Sequence, residues 1–223
     1  MKKIEKKGSL LDYLRNEILL ENLQEGSFLR QKIIAENFGV SRTPAREALK
    51  ALESEGLLEN LPNRGYRVRK RTPRDFLEII DMRALLEGYA ARMAVMSSNH
   101  NLPKILYKLS AKIKKTEDRY HRTRKPKDMV AWSKAEHEFH NAIIMASGNN
   151  LLIRLMQRLN FQFISFMRDS VRGSETSSLP SHDDIADAIE KLDPDRAEHM
   201  ARQHLDNHKT AGLESYLGPT FRT

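Results

Sequence analysis

The 223-residue sequence predicts a mainly α-helical protein. An N-terminal winged helix-turn-helix with a small β-hairpin wing precedes an all-α antiparallel bundle of six to seven helices. Two observations predict this class. Before residue 72, the order is helix, short helix, tight turn, helix and hairpin. From residue 73 almost to the end, apolar residues recur with the helical period. Because the two halves differ in type, we predict two domains, residues 1–72 and 73–223.

Three helices are predicted in the first domain. The first spans residues 9–22, where apolar residues form a stripe and Ser9 can serve as the N-cap. The second, RQKIIAENFG, ends at Gly39, because glycine readily adopts the left-handed conformation that terminates helices. We expect the third to have Thr43 as its N-cap and Pro44 at its first position, where the missing N–H costs nothing.

The β-structure of this domain is predicted to be one hairpin. Apolar residues alternate on both sides of the turn residues PNRG at 62–65, which is the pattern of two short antiparallel strands. The stretch NLQEGSFL, between the first two helices, is predicted to be a turn with Gly26 at its pivot. The basic stretch RKRTPRD then links the hairpin to the second domain.

The second domain is predicted to be helical throughout. Proline, glycine and asparagine interrupt its apolar periodicity. The predicted helices cover roughly residues 73–97, 103–121, 127–147, 150–171, 181–192 and 194–215. Short connections between such helices predict antiparallel neighbours.

Composition restricts the compartment and the chemistry. The chain has no cysteine, which excludes disulfides and thiolate metal sites and indicates a reducing compartment. No apolar run approaches the ~18–20 residues that span a bilayer. The basic N-terminus does not predict a signal peptide, because Asp12, Arg15 and Glu17 interrupt the apolar stretch that follows it. We therefore expect a cytoplasmic protein with no membrane partner.

The net charge of +8 is concentrated near the N-terminus. Residues 1–72 hold 15 lysines and arginines against 10 acidic residues, whereas residues 73–223 hold 23 against 20. An excess of positive charge in one domain indicates an anionic partner, with nucleic acid as the first candidate. Charge alone is equally compatible with a protein that is merely basic.

Arg42 and Arg46 lie four residues apart near the start of the third helix and therefore share a helix face. Arginine can bind guanine O6 and N7 with a bidentate fork when the N-terminal end of a helix enters the major groove. The helix N-terminus and the Thr43 hydroxyl can bind a phosphate. On spacing alone, the two arginines could equally lie on a solvated face near Glu47 or Glu53.

Four motifs resemble the GntR family of bacterial transcription regulators, in particular its FadR-like branch. GVSRTPAREALKALESEGLLENLPNRGYRV resembles the family's winged-helix signature almost residue for residue. Three further segments resemble the helical effector-binding domain of the branch: DMRALLEGYAARMA, EFHNAIIMASGN and HDDIADAIEKLDPDRAEHMARQHL. The resemblance covers about residues 9–210.

The resemblance implies a DNA-contacting surface on the first domain. Family arginines that match Arg42 and Arg46 read bases, and Lys32 matches another DNA-contacting position. The hairpin tip, with Arg64 and Gly65, can approach the minor groove, where glycine lets the backbone come close. One recognition helix reads few base pairs, so we expect a homodimer, joined through the helical domain, on a pseudo-palindromic double-stranded DNA operator.

Arg83 lies on the apolar stripe of the first helix of the second domain. A buried guanidinium needs a partner, either a structural carboxylate such as Glu87 or Glu136, or a bound anion. The family arginine at this position lines the effector cavity, and Asn149 also matches the family pattern. The resemblance therefore implies a small carboxylate-bearing effector at Arg83 and Asn149.

A divalent metal site is predicted in the same domain. Glu136 and His140 are four residues apart and can offer ligands from one helix face. In the metal-binding branch of the family, an acidic residue, most often Asp, and three histidines from three helices bind the ion. His140, His182 and His204 match those histidines, and Glu136 stands at the acidic position. His208, one turn after His204, is a competing ligand. Three imidazoles and one carboxylate suit Zn, Ni, Fe or Mn.

The sequence thus predicts a ligand-responsive, sequence-specific transcription regulator, a repressor that a small organic acid releases from DNA. A metal-ion-sensing regulator is the alternative within this class. The alternatives outside it are a non-specific DNA-organising protein and a metal-dependent enzyme. No general base or nucleophile motif accompanies the metal ligands, so no enzymatic activity is expected.

Overall fold

Helices dominate the structure, a computed structural model that describes residues 9–20, 22–97, 99–159 and 180–217. It divides into two units, Met1–Thr72 and Pro73–Thr223. Among the described residues, β-structure is confined to one three-stranded antiparallel sheet in the first unit. The predicted fold class is confirmed. Within the parts of the chain described, no helix is both long and apolar enough to cross a membrane.

The first unit contains three helices and three short strands. They are α1 (Leu10–Leu19), β1 (Phe28–Leu29), α2 (Gln31–Phe38), α3 (Arg42–Ser54), β2 (Leu58–Leu61) and β3 (Gly65–Val68). The central strand β3 pairs antiparallel with both others. The helices and the sheet share one apolar core, in which Ala45, Leu49 and Leu52 of α3 have no exposed surface.

Two helix ends are as predicted. The Ser9 hydroxyl accepts a hydrogen bond from the Asp12 N–H at 3.1 Å, and the Asp12 side chain bonds back to Ser9, which forms a capping box at the start of α1. At the end of α2, Gly39 has φ 64° and the Val40 N–H donates to Ala35 O at 3.1 Å. The glycine thus reverses the chain between α2 and α3.

The stretch predicted only as a turn before α2 also contains a strand. Phe28 and Leu29 form β1 and lie opposite Arg67 and Tyr66 of β3. Two residues are too few to show the alternation that identifies a strand in sequence. Pairing with a strand about 40 residues away therefore decides their conformation.

The prediction that Thr43 caps α3 is wrong. The helix begins at Arg42, its N-cap is Ser41, and Ser41 makes no side-chain capping hydrogen bond. Pro44 therefore occupies the third helical position. Its missing N–H still costs nothing, because none of the first four N–H groups of a helix has an intrahelical acceptor. Proline therefore indicates that a helix begins within one turn before it, but it does not determine at which residue the helix begins.

The second unit is helical throughout its described residues. Its helices are α4 (Pro73–Val95), α5 (Leu102–Thr123), α6 (Pro126–Ala146), α7 (150–159), α8 (His182–Glu190) and α9 (Pro194–Leu217). The helix predicted over 150–171 begins as expected. Its part beyond residue 159, and most of the predicted break GSETSSLP, lie outside the described residues.

The packing of this unit brings α6, α8 and α9 together around α4. The α4 helix contacts all three, α9 most extensively, while α5 packs against α6 and α8. Gly88 permits the close approach of α9, because a β-carbon there would lie 2.5 Å from Arg202 Cγ and 3.2 Å from Glu198 O. Leu106, Phe139 and Met156 are fully buried in the shared core. The first turn of α8 is thereby held beside the buried faces of α6 and α9.

Candidate metal centre and nucleic-acid interface

Four side chains from three helices converge inside the second unit. Glu136 and His140 lie on α6, His182 is the first residue of α8, and His204 lies on α9. One potential ligand atom of each lies within 4.8 Å of those of the other three. All four residues that the sequence indicated as metal ligands are therefore brought together.

Hydrogen bonds fix the orientation of two of the imidazoles. His140 Nδ1 lies 2.6 Å from Glu87 Oε2, and His204 Nδ1 lies 2.9 Å from the carbonyl oxygen of Pro180. Both acceptors favour a protonated Nδ1, which leaves Nε2 as the ligand atom. Metal-binding histidines are commonly oriented in this way by a carboxylate or a backbone carbonyl.

The carboxylate of Glu136 faces two of the imidazoles. Its Oε2 lies 3.0 Å from His182 Nε2 and 3.7 Å from His140 Nε2. Its Oε1 instead accepts a hydrogen bond from Trp132 Nε1 at 3.0 Å. One oxygen is thus held by the protein, and the other is directed into the cluster. The glutamate, one methylene longer than the aspartate that the resemblance implies, still reaches the histidines.

The donor atoms of the cluster suit a divalent metal ion. His182 Nε2 is buried, and no described atom has the alignment to hydrogen-bond with it, although Glu136 Oε2 is close. A buried nitrogen without a hydrogen bond is unfavourable unless something else satisfies it. A metal ion among Glu136, His140, His182 and His204 would supply that partner, and Zn, Ni, Fe and Mn all accept this donor set.

Burial and neighbouring charges set the protonation of the clustered side chains. Burial alone would raise the pKa of Glu136, but His182 and His140 lower that pKa well below its usual range. Burial would lower the pKa of His140, but Glu87 and Glu136 raise it to about 9. Burial lowers the pKa of His204 far below that of a free histidine. Glu136 is thus an ionised carboxylate and His204 a neutral imidazole, both competent ligands, whereas His140 has to release a proton when a metal ion binds.

Arg83 is paired with a structural carboxylate, one of the two alternatives that the sequence left open. Its Nε and Nη2 donate to Glu87 Oε1 at 2.7 and 2.6 Å, and both side chains are buried. The other oxygen of Glu87 holds His140, so Arg83, Glu87 and His140 form one chain of contacts. The spacing of Arg83 and Glu87 on α4 indicated their pairing, but nothing in the sequence indicated that Glu87 reaches α6. A contact between Arg83 and an effector stays a prediction.

Asn149 has a structural role at a helix start. Its side-chain oxygen accepts hydrogen bonds from the N–H groups of Leu151 and Leu152, both at 3.1 Å. Asn149 is therefore the N-cap of α7. Its predicted contact with an effector stays a prediction.

In the first unit, α3 presents the predicted base-reading residues to solvent. Arg42, Thr43 and Arg46 are exposed, while the core face of the helix is buried. Among the described residues, no carboxylate lies within ion-pair distance of Arg42 or Arg46, so neither glutamate considered in the sequence neutralises them. Gln31 Nε2 donates to the carbonyl oxygen of Arg42 at 2.8 Å, which ties α2 to the start of α3.

The three other predicted DNA-contacting residues lie on α2 and on the β2–β3 hairpin of the first unit. Lys32 on α2 is 71% exposed at its side chain, with Glu36 at 3.9 Å. Arg64 is exposed at the turn between β2 and β3. Gly65 has φ 91°, and a β-carbon there would lie 2.9 Å from Leu29 O. Glycine is therefore required by the packing of β1, a reason the sequence did not reveal.

Models of two protein families match the chain. The model described as "Bacterial regulatory proteins, gntR family" matches residues 6–68, and that of the FCD domain matches residues 78–207. The first coincides with the helix-turn-helix and wing, and the second contains all four clustered side chains.

Relatives resemble the chain over nearly its whole length. A "Probable D-xylose utilization operon transcriptional repressor" of Paenarthrobacter nicotinovorans is 29% identical, with 93% of this chain and 88% of the relative covered. The HTH-type transcriptional repressor GlaR of Escherichia coli K12 is 26% identical, with 86% and 89% covered. The solved structure of E. coli McbR/YncC has a TM-score of 0.73 at 20% identity, covers 93% of this chain and 96% of its own, and shows the same fold. The two curated relatives are transcription regulators, not enzymes.

Proposed function

The chain belongs to the gntR family of bacterial regulatory proteins and carries an FCD domain, and we propose that it is a ligand-responsive repressor that binds a specific DNA operator. The observation that carries the proposal is the cluster of Glu136, His140, His182 and His204. A buried set of metal ligands in a regulator's helical domain provides a place where a small molecule can act.

DNA is bound through α3 and the hairpin. The N-terminal end of α3 enters the major groove, where Arg42 and Arg46 contact base edges and Thr43 contacts a phosphate. Lys32 adds phosphate contacts from α2, and Arg64 approaches the neighbouring minor groove. The exposure and missing carboxylate partners of the two α3 arginines support this assignment.

The DNA-binding part is tested with the variant Arg46→Ala. An operator is first selected from random duplexes with the wild-type protein. We expect the variant to lose about 1–3 kcal/mol of specific binding free energy per half-site, the worth of a bidentate contact with guanine, while non-specific binding remains. Arg154→Ala, an exposed arginine of α7, removes the same charge and should bind the operator normally. Wild-type specificity in Arg46→Ala at physiological salt would overturn the assignment.

The helical domain holds one divalent metal ion, and with it a small organic acid. Glu136, His140, His182 and His204 would be the ligands. When bound, the ion supplies a Lewis-acidic centre that attracts a carboxylate. Glu87 orients His140, Pro180 orients His204, and Arg83 holds Glu87 in place. An effector shifts DNA affinity only by the difference between its affinities for the two states of the regulator.

Metal content is the direct test of this part. Protein purified without an affinity tag should carry about one divalent ion per chain, measured by elemental analysis. Glu136→Gln should lower metal affinity strongly, because it removes the carboxylate charge. Glu138→Gln, a change on the same helix at a residue paired with Lys112, should not. Equal metal content in both variants would contradict the assignment.

The effector is sought by thermal shift with carboxylic acids and sugar acids. A ligand that binds the folded state raises its stability. We expect a compound that stabilises the metal-loaded protein, fails to stabilise the chelated protein and releases the operator. If metal alone releases the operator and no acid does, the protein is a metal sensor, which the same cluster would serve.

A homodimer brings two copies of α3 to a pseudo-palindromic operator. Three large apolar side chains on α4 support an interface in the helical domain. They are Met82, Leu85 and Tyr89, and they are between 41% and 47% exposed. Their spacing of three and four residues places them on one stripe of the helix. An exposed apolar stripe of this kind marks a surface for another protein chain.

A further inference from the structure

His208 lies beside the metal cluster but outside the four-ligand set. It is one turn after His204 on α9, and the two imidazole rings have centroids 4.7 Å apart at an angle of 80°. The Nε2 atoms of His204 and His208 are 3.3 Å apart. His208 therefore directs a nitrogen towards the ligand atom of an established member of the cluster.

The hydrogen-bond pattern restricts what this contact can be. The Pro180 carbonyl can only accept, so the proton of neutral His204 is on Nδ1 and its Nε2 carries a lone pair. His208 Nε2 thus either donates a proton to that lone pair or adds a second lone pair beside it. The first arrangement is a hydrogen bond. The second brings two ligand atoms to one point.

The separation of the two nitrogens matches that of two ligands on one ion. Metal–imidazole bonds of about 2.1 Å place neighbouring nitrogens about 3.0 Å apart at an angle of 90° and about 3.6 Å apart at 120°, the angles of five-coordinate geometry. The distance of 3.3 Å between His204 and His208 falls within this interval. So does the 3.0 Å between His182 Nε2 and Glu136 Oε2, two members of the four-ligand set.

We propose that His208 is a fifth protein ligand of the metal ion in the resting protein. The proposal rests on the metal centre of the proposed function. With His208 bound, fewer positions on the ion would be open to a carboxylate effector. Effector binding would then compete with the His208 imidazole and would be linked to a side chain of α9.

The test uses full-length protein loaded with Co²⁺, whose visible absorption reports the ligands of the ion. Compared with wild type, His208→Ala should show shifted Co²⁺ absorption bands and should bind Co²⁺ more weakly by at least the 10- to 100-fold that loss of an outer-shell partner costs. Sodium acetate, as a carboxylate probe, should change the spectrum of His208→Ala at lower concentration than that of wild type. His199→Ala removes an exposed histidine from the same helix and should match wild type in all three measurements.

A second variant separates ligation from hydrogen bonding. The amide group of His208→Gln can still donate a hydrogen bond to His204 but lacks the imidazole. We expect the spectrum of His208→Gln to differ from wild type, as that of His208→Ala does. A wild-type spectrum and affinity in His208→Gln, or in a folded His208→Ala, would overturn the proposal and leave the four-ligand centre intact. If wild type itself binds no Co²⁺, both the fifth ligand and the metal centre are overturned.

Discussion

At Gly65, two separate features of the structure exclude any residue that has a β-carbon. Its φ of 91° is in the region that residues with a β-carbon rarely adopt. In addition, a β-carbon would lie 2.9 Å from the backbone oxygen of Leu29. A backbone atom in a paired strand cannot move aside as a flexible side chain can. The glycine therefore permits both the turn after β2 and the pairing of β1 with β3.

The variant Gly65→Ala should consequently destabilise the first unit by more than its backbone strain alone. Gly39→Ala is the matched control, because Gly39 also has positive φ but no atom within 4 Å of a β-carbon. We expect Gly39→Ala to cost about 1–2 kcal/mol. Gly65→Ala should cost at least about 1 kcal/mol more, the low end of the cost of steric overpacking. Urea unfolding of both variants gives the comparison, and equal losses would show that β1 yields to the new methyl group.

Arg83 and Glu87 illustrate how buried charges persist in the second unit. Each would be expensive to bury alone. Glu87 accepts from Arg83 with one oxygen and contacts His140 with the other, so its charge is opposed on both sides. The pKa of Glu87 falls because Arg83 and His140 outweigh its burial. Arg83 thereby stabilises the carboxylate that orients a metal ligand.

At the scale of elements, the start of α8 determines where His182 lies. Ser181 is the N-cap of this helix, and its hydroxyl accepts from the Asp184 N–H at 3.3 Å. Its own N–H donates to Asp184 Oδ2 at 2.7 Å, which completes a capping box. His182 follows as the first helical residue. Ser181 therefore orients the helix end that carries a ligand.

Ser181→Ala should lower both stability and metal affinity, whereas the control variant Ser9→Ala should lower stability only. Loss of an N-cap costs about 1 kcal/mol, and we expect a stability loss of that size. We also expect weaker metal binding, because His182 is less well oriented. Ser9→Ala removes the same capping box from α1 in the other unit and should lower stability without changing metal affinity. Isothermal titration with Zn²⁺ distinguishes the two, and unchanged affinity in Ser181→Ala would contradict the role of the cap.

At the scale of the whole molecule, the apolar stripe on α4 predicts assembly. Leu85→Glu should weaken a dimer joined through this face, because it places a charge in an apolar contact. In sedimentation at micromolar concentration, wild type should have twice the chain mass of 25.8 kDa, and the variant should approach the single-chain mass. Val130→Glu, at an exposed apolar residue of α6, serves as control and should leave the mass unchanged. A wild-type protein of single-chain mass would contradict the dimer.

Weakened dimers should also bind operator DNA more weakly. Two half-sites occupied by one dimer combine their binding free energies, whereas a single head reads few base pairs. Leu85→Glu is expected to lose affinity for the full operator while its affinity for an isolated half-site is unchanged. Sedimentation thus tests dimerisation, and affinity for an isolated half-site tests DNA binding independently of dimerisation.

The sequence by itself determined the features that depend on neighbours along the chain. The order of helices and hairpin, the Ser9 cap and the Gly39 helix end follow from local periodicity and backbone preference. So does the face shared by Glu136 and His140, because a spacing of four is one helical turn. The likeness to a family then indicated which distant histidines would join them.

Only the tertiary structure decided contacts between residues far apart in sequence. The two-residue strand β1 exists because β3 pairs with it, and Glu87 reaches His140 because α4 packs against α6. The start of α3 at Arg42 was also decided by the tertiary structure, because Pro44 is compatible with any position in the first turn of a helix. The side-chain orientations on α9 place His208 Nε2 beside His204 Nε2. Local patterns specify which face a side chain occupies, but packing specifies what it touches there.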